Sequence, residues 1–119
     1  MTIVIKRAYT AASTDDGQRI LVDRLWPRGL SKDRAQLSSW NKDVAPSHEL
    51  RKWFGHDPAK WDDFKQKFRD ELDHNQAAVQ PLLDAAKQGK LTLVYSAKDE
   101  KHNNAVVIKA YLEDLLQRS

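Results

Sequence analysis

Apolar residues along this chain fall in two patterns. Short consecutive runs, Ile3-Val4-Ile5, Ile20-Leu21-Val22 and Leu91-Thr92-Leu93-Val94-Tyr95, are rich in β-branched residues and predict strands. Between and after them, apolar residues recur every three or four positions, the spacing of one helix face. The clearest case is Trp61, Phe64, Phe68 and Leu72, with charged residues at almost every intervening position. That stripe predicts a surface helix burying aromatic rings. Asp57 and Pro58 supply its N-cap and first position. A second periodic stretch carries Val79, Leu82, Leu83 and Ala86, with Pro81 near its start and Gly89 after its end. A third carries Ala105, Ile108, Tyr111, Leu112 and Leu115 and is expected to start near Asn103 or Asn104, because asparagine caps helices well.

Polar punctuation sets the other boundaries. Asp15-Asp16-Gly17 marks a turn before the second strand, and Trp26-Pro27-Arg28-Gly29 stops that strand. Ser31 is placed to cap a short helix over 32–36, and Pro46-Ser47 opens a helix running to Phe54, with Gly55 beyond its end. Residues 37–44 fit either a helix or a short strand.

The consecutive apolar residues of the second strand imply a position with both faces covered. The crossover from Val22 to Leu91 is long and helical, which favours a parallel pair. The expected fold is therefore a single small α/β domain over 1–119, with a short, mainly parallel sheet flanked by helices.

Composition narrows the functional classes. With 119 residues the chain fits one domain with one core. It has no cysteine, which excludes disulfides, thiolate metal sites and a cysteine nucleophile, and fits a reducing compartment. No apolar run approaches the roughly 20 residues that span a bilayer, and the N-terminal residues do not read as a signal peptide. A cytoplasmic protein with no membrane partner is expected. The formal charge is +3. Residues 1–40 carry seven basic and four acidic side chains, and the rest of the chain is close to balanced. Without a basic stripe at helical spacing, nucleic-acid binding is not the favoured reading. No two of His48, His56, His74 and His102 show the spacing of a zinc motif, so no metal and no cofactor are expected.

Parallel neighbouring strands end at the same sheet edge, where open α/β sheets bind ligands. The second strand delivers Asp23, Arg24, Trp26 and Arg28 there, and the 91–95 strand delivers Lys98, Asp99, His102 and Asn103. Arg24, Arg28 and Lys98, with the start of the last helix near Asn103, suit a small anion carrying phosphate or carboxylate. Asp23 and Asp99 would orient the cations or act as bases, and His102 or His56 would transfer protons. Arg51 and His56 are candidates for the same cleft, and Trp26 for a stacking surface. Each residue also has a structural reading. Asp23-Arg24 can be an ion pair that ends a strand, Trp26 a core residue, Lys98-Asp99 a solvated turn, and His102 a partner for a loop carbonyl.

The segments Arg19-Ile20-Leu21-Val22-Asp23-Arg24-Leu25-Trp26-Pro27-Arg28-Gly29, Ala45-Pro46-Ser47-His48-Glu49-Leu50-Arg51-Lys52-Trp53-Phe54-Gly55-His56-Asp57 and Leu93-Val94-Tyr95-Ser96-Ala97-Lys98-Asp99, with His102-Asn103, form long motifs. They resemble the YeaO-like family of uncharacterised bacterial proteins, domain-of-unknown-function family 488, over about residues 3–115. The resemblance implies a compact, prokaryotic, cytoplasmic α/β protein and no particular catalytic residue. The expected function is an anion-binding site, with or without catalysis. The alternative is a non-catalytic regulatory or stress-related binding module.

Overall fold

The structure is a computed structural model that describes residues 2–118. Four strands form one sheet: β1 (Thr2–Arg7), β2 (Gln18–Leu21), β3 (Ser39–Trp40) and β4 (Lys90–Tyr95). Their order across the sheet is β1-β4-β2-β3, and every neighbouring pair is parallel. The helices are α1 (Lys32–Ala35), α2 (His48–Phe54), α3 (Trp61–Asp73), α4 (Gln76–Lys87) and α5 (Asn104–Arg118).

The consecutive apolar runs have the expected cause. Along β4, Leu91, Leu93 and Tyr95 point into the main core, and Val94 points into a smaller core on the opposite face. β2 and the residue that follows it divide in the same way, with Ile20 and Val22 on one side and Leu21 on the other. Helices α2 to α5 cover the first face, led by Phe54, Phe64, Phe68, Leu72, Leu82, Ile108 and Leu112. Leu30, Ala35, Trp26 and Leu37 cover the second.

Several boundaries differ from the sequence expectation. The helix announced by Asp57 and Pro58 begins as a 3-10 turn, Pro58–Lys60, and becomes α-helical only at Trp61. The Asp57 carboxylate accepts the Ala59 N–H at 3.0 Å, and the Asp57 carbonyl accepts the Lys60 N–H at 2.9 Å, an i to i+3 bond that tightens this turn. Helix α4 starts at Gln76, well before Pro81, which sits on its exposed side. The ambiguous 37–44 stretch resolves into the two-residue strand β3 and a 3-10 turn, Lys42–Val44.

The second face holds a polar group that the turn signal concealed. Arg19 is buried on β2 and donates from Nη1 to Asp16 Oδ2 at 2.7 Å, while its Nε and Nη2 reach the Ala35 carbonyl at 3.1 and 2.9 Å. Lys6 adds a second cation to Asp16 at 3.1 Å. Burial alone would raise the Asp16 carboxyl, but the Ser13 N–H, Lys6 and Arg19 outweigh it and hold the group below its ordinary value. Gly17 follows with φ of 65°, and a Cβ there would lie 2.3 Å from the Lys90 carbonyl, so the chain passes β4 too closely for any side chain.

Candidate functional site

The carboxyl ends of β2 and β4 lie side by side, and a latch joins the two loops that leave them. The Asp23 carboxylate takes the Ser96 N–H at 2.8 Å and the Ser96 hydroxyl at 2.7 Å on one oxygen. Its other oxygen takes Asn104 Nδ2 at 3.0 Å, and the same amide nitrogen donates to the Val22 carbonyl at 2.9 Å. The indole of Trp40 donates to the Asp23 carbonyl at 2.7 Å. Asp23 therefore fixes the end of β2 to the end of β4 and to the first residue of α5. Among the described residues Asp23 and Arg24 form no ion pair.

Next to this latch is a cavity of about 300 Å³, lined by residues from both strand ends, α2, α3 and α5. Its polar wall includes Arg24, Arg51, His56, His102 and Asn103, and its apolar wall includes Leu25, Pro46, Phe54 and Phe64. The volume lies at the small end of ligand sites. Arg24 donates from Nη2 to the Ala45 carbonyl at 3.3 Å. The Nε atoms of Arg24 and Arg51 are buried and have no hydrogen-bond partner among the described residues. An unmatched buried donor on a charged group costs upwards of about 1–3 kcal/mol. Both arginines line this one cavity.

His102 reaches the cavity from the loop before α5. Its Nδ1 lies 2.9 Å from Asp99 Oδ2, and Trp61 meets the ring edge-on at 5.2 Å between centroids. The Asp99 side chain is held by the Lys101 and His102 N–H groups at 2.9 and 3.0 Å. The Lys101 amide first, and then the His102 ring, keep its carboxyl below the ordinary value. With Nδ1 engaged by Asp99, Nε2 is the nitrogen left to meet a ligand. Asn103 caps α5, accepting the Val106 N–H at 3.0 Å and donating to the Asp99 carbonyl at 2.9 Å.

The expected site residues thus separate into two groups. Asp23, Arg24, Arg51, His56, His102 and Asn103 line one cavity, and Asp99 stands behind His102. Trp26, Arg28 and Lys98 are not among the lining residues. Trp26 packs on the smaller core, donates to the Leu30 carbonyl at 2.6 Å and meets Trp40 edge-on, so its core reading holds. Arg28 is exposed, and its carbonyl accepts the Tyr9 hydroxyl at 2.8 Å. Lys98 is exposed on the turn after Ala97. Sequence reasoning did not single out Ser96 and Asn104 as the partners of Asp23. Their signal was position alone: Ser96 directly follows β4, and Asn104 opens α5. Among the described residues no group of three or more His, Asp or Glu side chains gathers as a metal site, and no helix is long and apolar enough to cross a membrane.

A family model described as the inactive DUF488-N3 subclade matches residues 2–119. The chain belongs to this DUF488 subclade. Relatives align over nearly their whole length. The uncharacterised protein YeaO of Escherichia coli K12 is 43% identical over 115 residues, which cover 97% of this chain and 100% of YeaO. The uncharacterised proteins Mb3100c of Mycobacterium bovis and Rv3073c of Mycobacterium tuberculosis H37Rv are each 39% identical over 108 residues, 91% of both chains. No solved structure matches this DUF488 chain.

Proposed function

We propose that this DUF488 protein binds a small molecule bearing a phosphate or carboxylate group in the cavity between the β2 and β4 ends, and releases it unchanged. The observation that carries this reading is the pair of buried, unpartnered Nε–H donors on Arg24 and Arg51. An anionic group in the cavity that both residues line would match the charge of the two guanidinium groups. The Nε2 of His102 offers a further polar contact at the same wall.

The Asp99–His102 pair has the form of an oriented acid–base group. The subclade description, however, reads inactive, which favours capture over turnover. Asp23 does not need to act as a base in this reading, because Ser96 and Asn104 already take up both its oxygens.

Calorimetric titration with inorganic phosphate, acetate and dicarboxylates tests the proposal. Saturable binding is expected, and Arg24→Ala and Arg51→Ala should each weaken it about tenfold or more. No binding at millimolar concentration, or unchanged binding in both variants, overturns it.

A further inference from the structure

His102 is the one cavity-lining side chain that both changes charge near neutrality and has its ring held by a carboxylate. The Asp99 carboxylate is itself anchored by the Lys101 and His102 N–H groups. Those amides and the ring keep it below its ordinary value, so it stays ionised near neutrality. An ionised carboxylate only accepts, so Nδ1 carries a proton throughout. Nε2 is then the nitrogen that gains or loses one.

The other elements around the ring set the charges that this proton meets. The end of β2 contributes Arg24 and Asp23, and α2 with the turn after it contributes Arg51 and His56. Both oxygens of Asp23 are already taken up by Ser96 and Asn104. Helix α3 presents Trp61 edge-on, with Lys65 against that indole at 5.8 Å. At the end of β4, burial pushes the Tyr95 phenol above its ordinary value, so it stays uncharged near neutrality. Glu100 and Lys101, exposed on the loop of His102 itself, offset each other in charge. Two guanidinium groups thus oppose a proton on Nε2, and Asp99 favours it. An anion in the cavity cancels the first effect and leaves the second.

We infer that anion capture in this cavity is linked to a proton: His102 takes one up from solvent at Nε2 as the anion binds, and Asp99 holds the resulting imidazolium. This rests on the anion-binding reading of the same cavity and adds its regulation by pH. Coupling of two binding events is reciprocal, so affinity rises as pH falls through the range in which histidine titrates. His56 lines the same cavity, but among the described residues no carboxylate pairs with its ring.

Calorimetric titration of the whole protein with sulfate and with acetate tests the inference, because neither anion changes charge between about pH 6 and about pH 8. At least one should bind about fivefold or more tighter at the lower pH. The heat of binding should also vary with the ionisation enthalpy of the buffer, as proton uptake requires. His102→Gln should bring the affinity ratio between the two pH values close to one and remove the buffer dependence. Asp99→Asn keeps an oxygen for the two backbone N–H groups and removes the charge, so it should shrink the ratio in a folded protein. His56→Gln should leave most of the ratio in place. Equal affinity at both pH values in the wild type would overturn the inference and leave the anion-binding reading intact. A ratio that survives in His102→Gln, or disappears in His56→Gln, would overturn the assignment to His102. An unchanged ratio in Asp99→Asn would overturn the role of Asp99. Failure of both anions to bind at either pH would overturn both readings.

Discussion

Asp16 is buried against two cations and stays ionised, so it stabilises the fold at neutral pH. Its folded-state value lies below its ordinary one. Its contribution is therefore complete above about pH 4, the unfolded range, and is lost as pH falls through the lower folded value. Thermal unfolding of the wild type from pH 7 down to pH 2 should show this acid loss, and Asp16→Asn should flatten part of it while lowering stability at pH 7. An identical acid limb in the variant would exclude Asp16 as a source. None of this was legible along the chain, where Asp15-Asp16-Gly17 is a turn signal and Arg19 one polar residue in a strand. Arg24, Arg51 and His102 were legible, because strand ends and cationic side chains announce themselves locally. Arg28 and Lys98 carry the same local signal and lie outside the cavity. What separates them is the direction their loops take, and that depends on contacts such as the Tyr9 hydroxyl on the Arg28 carbonyl.

Among elements, β2, β4 and the start of α5 behave as one unit because Asp23 ties them together. Removing that carboxylate leaves the Ser96 N–H and hydroxyl without their acceptor and takes one of the two acceptors of the Asn104 amide. Asp23→Ala should cost about 1–3 kcal/mol in urea unfolding and accelerate hydrogen exchange at the Ser96 amide. It should also weaken anion binding without removing either arginine. Unchanged Ser96 exchange would show that the loops are held by other means. The elements themselves were largely readable: the aromatic stripe of α3, the Asn103 cap of α5 and the two-faced burial of β2 all follow from spacing. Residues 37–44 were not readable, since two residues of β3 make too short a period to distinguish from a helix. Its pairing is fixed instead by distant groups, with the Ser38 N–H on the Arg19 carbonyl at 2.7 Å and the Asn41 N–H on the Leu21 carbonyl at 2.8 Å. The start of α4 was placed too late because Pro81 resembles a first-turn proline. On an exposed face, water can serve the carbonyl that the ring leaves unbonded.

For the molecule as a whole, the parallel class and the shared edge of β2 and β4 follow from the long helical crossover, whereas the position of β1 does not. β1 lies on the far side of β4, and β1 and β2 are separated by a strand that comes about 70 residues later. This order has a consequence during synthesis. As the chain leaves the ribosome, β1 and β2 emerge with a gap between them that no nascent residue can fill. The Asp23 carboxylate likewise waits for Ser96 and Asn104. Only when residues 90–104 are made can the central strand enter and the whole sheet close, in a single late step dominated by contacts distant in sequence. A fragment ending at Gly89 should therefore show no cooperative unfolding transition by circular dichroism, despite retaining three strands and four helices. A sharp transition in that fragment would mean the early strands can pair without β4. Until that point in its synthesis, both edges that β4 will fill stay open.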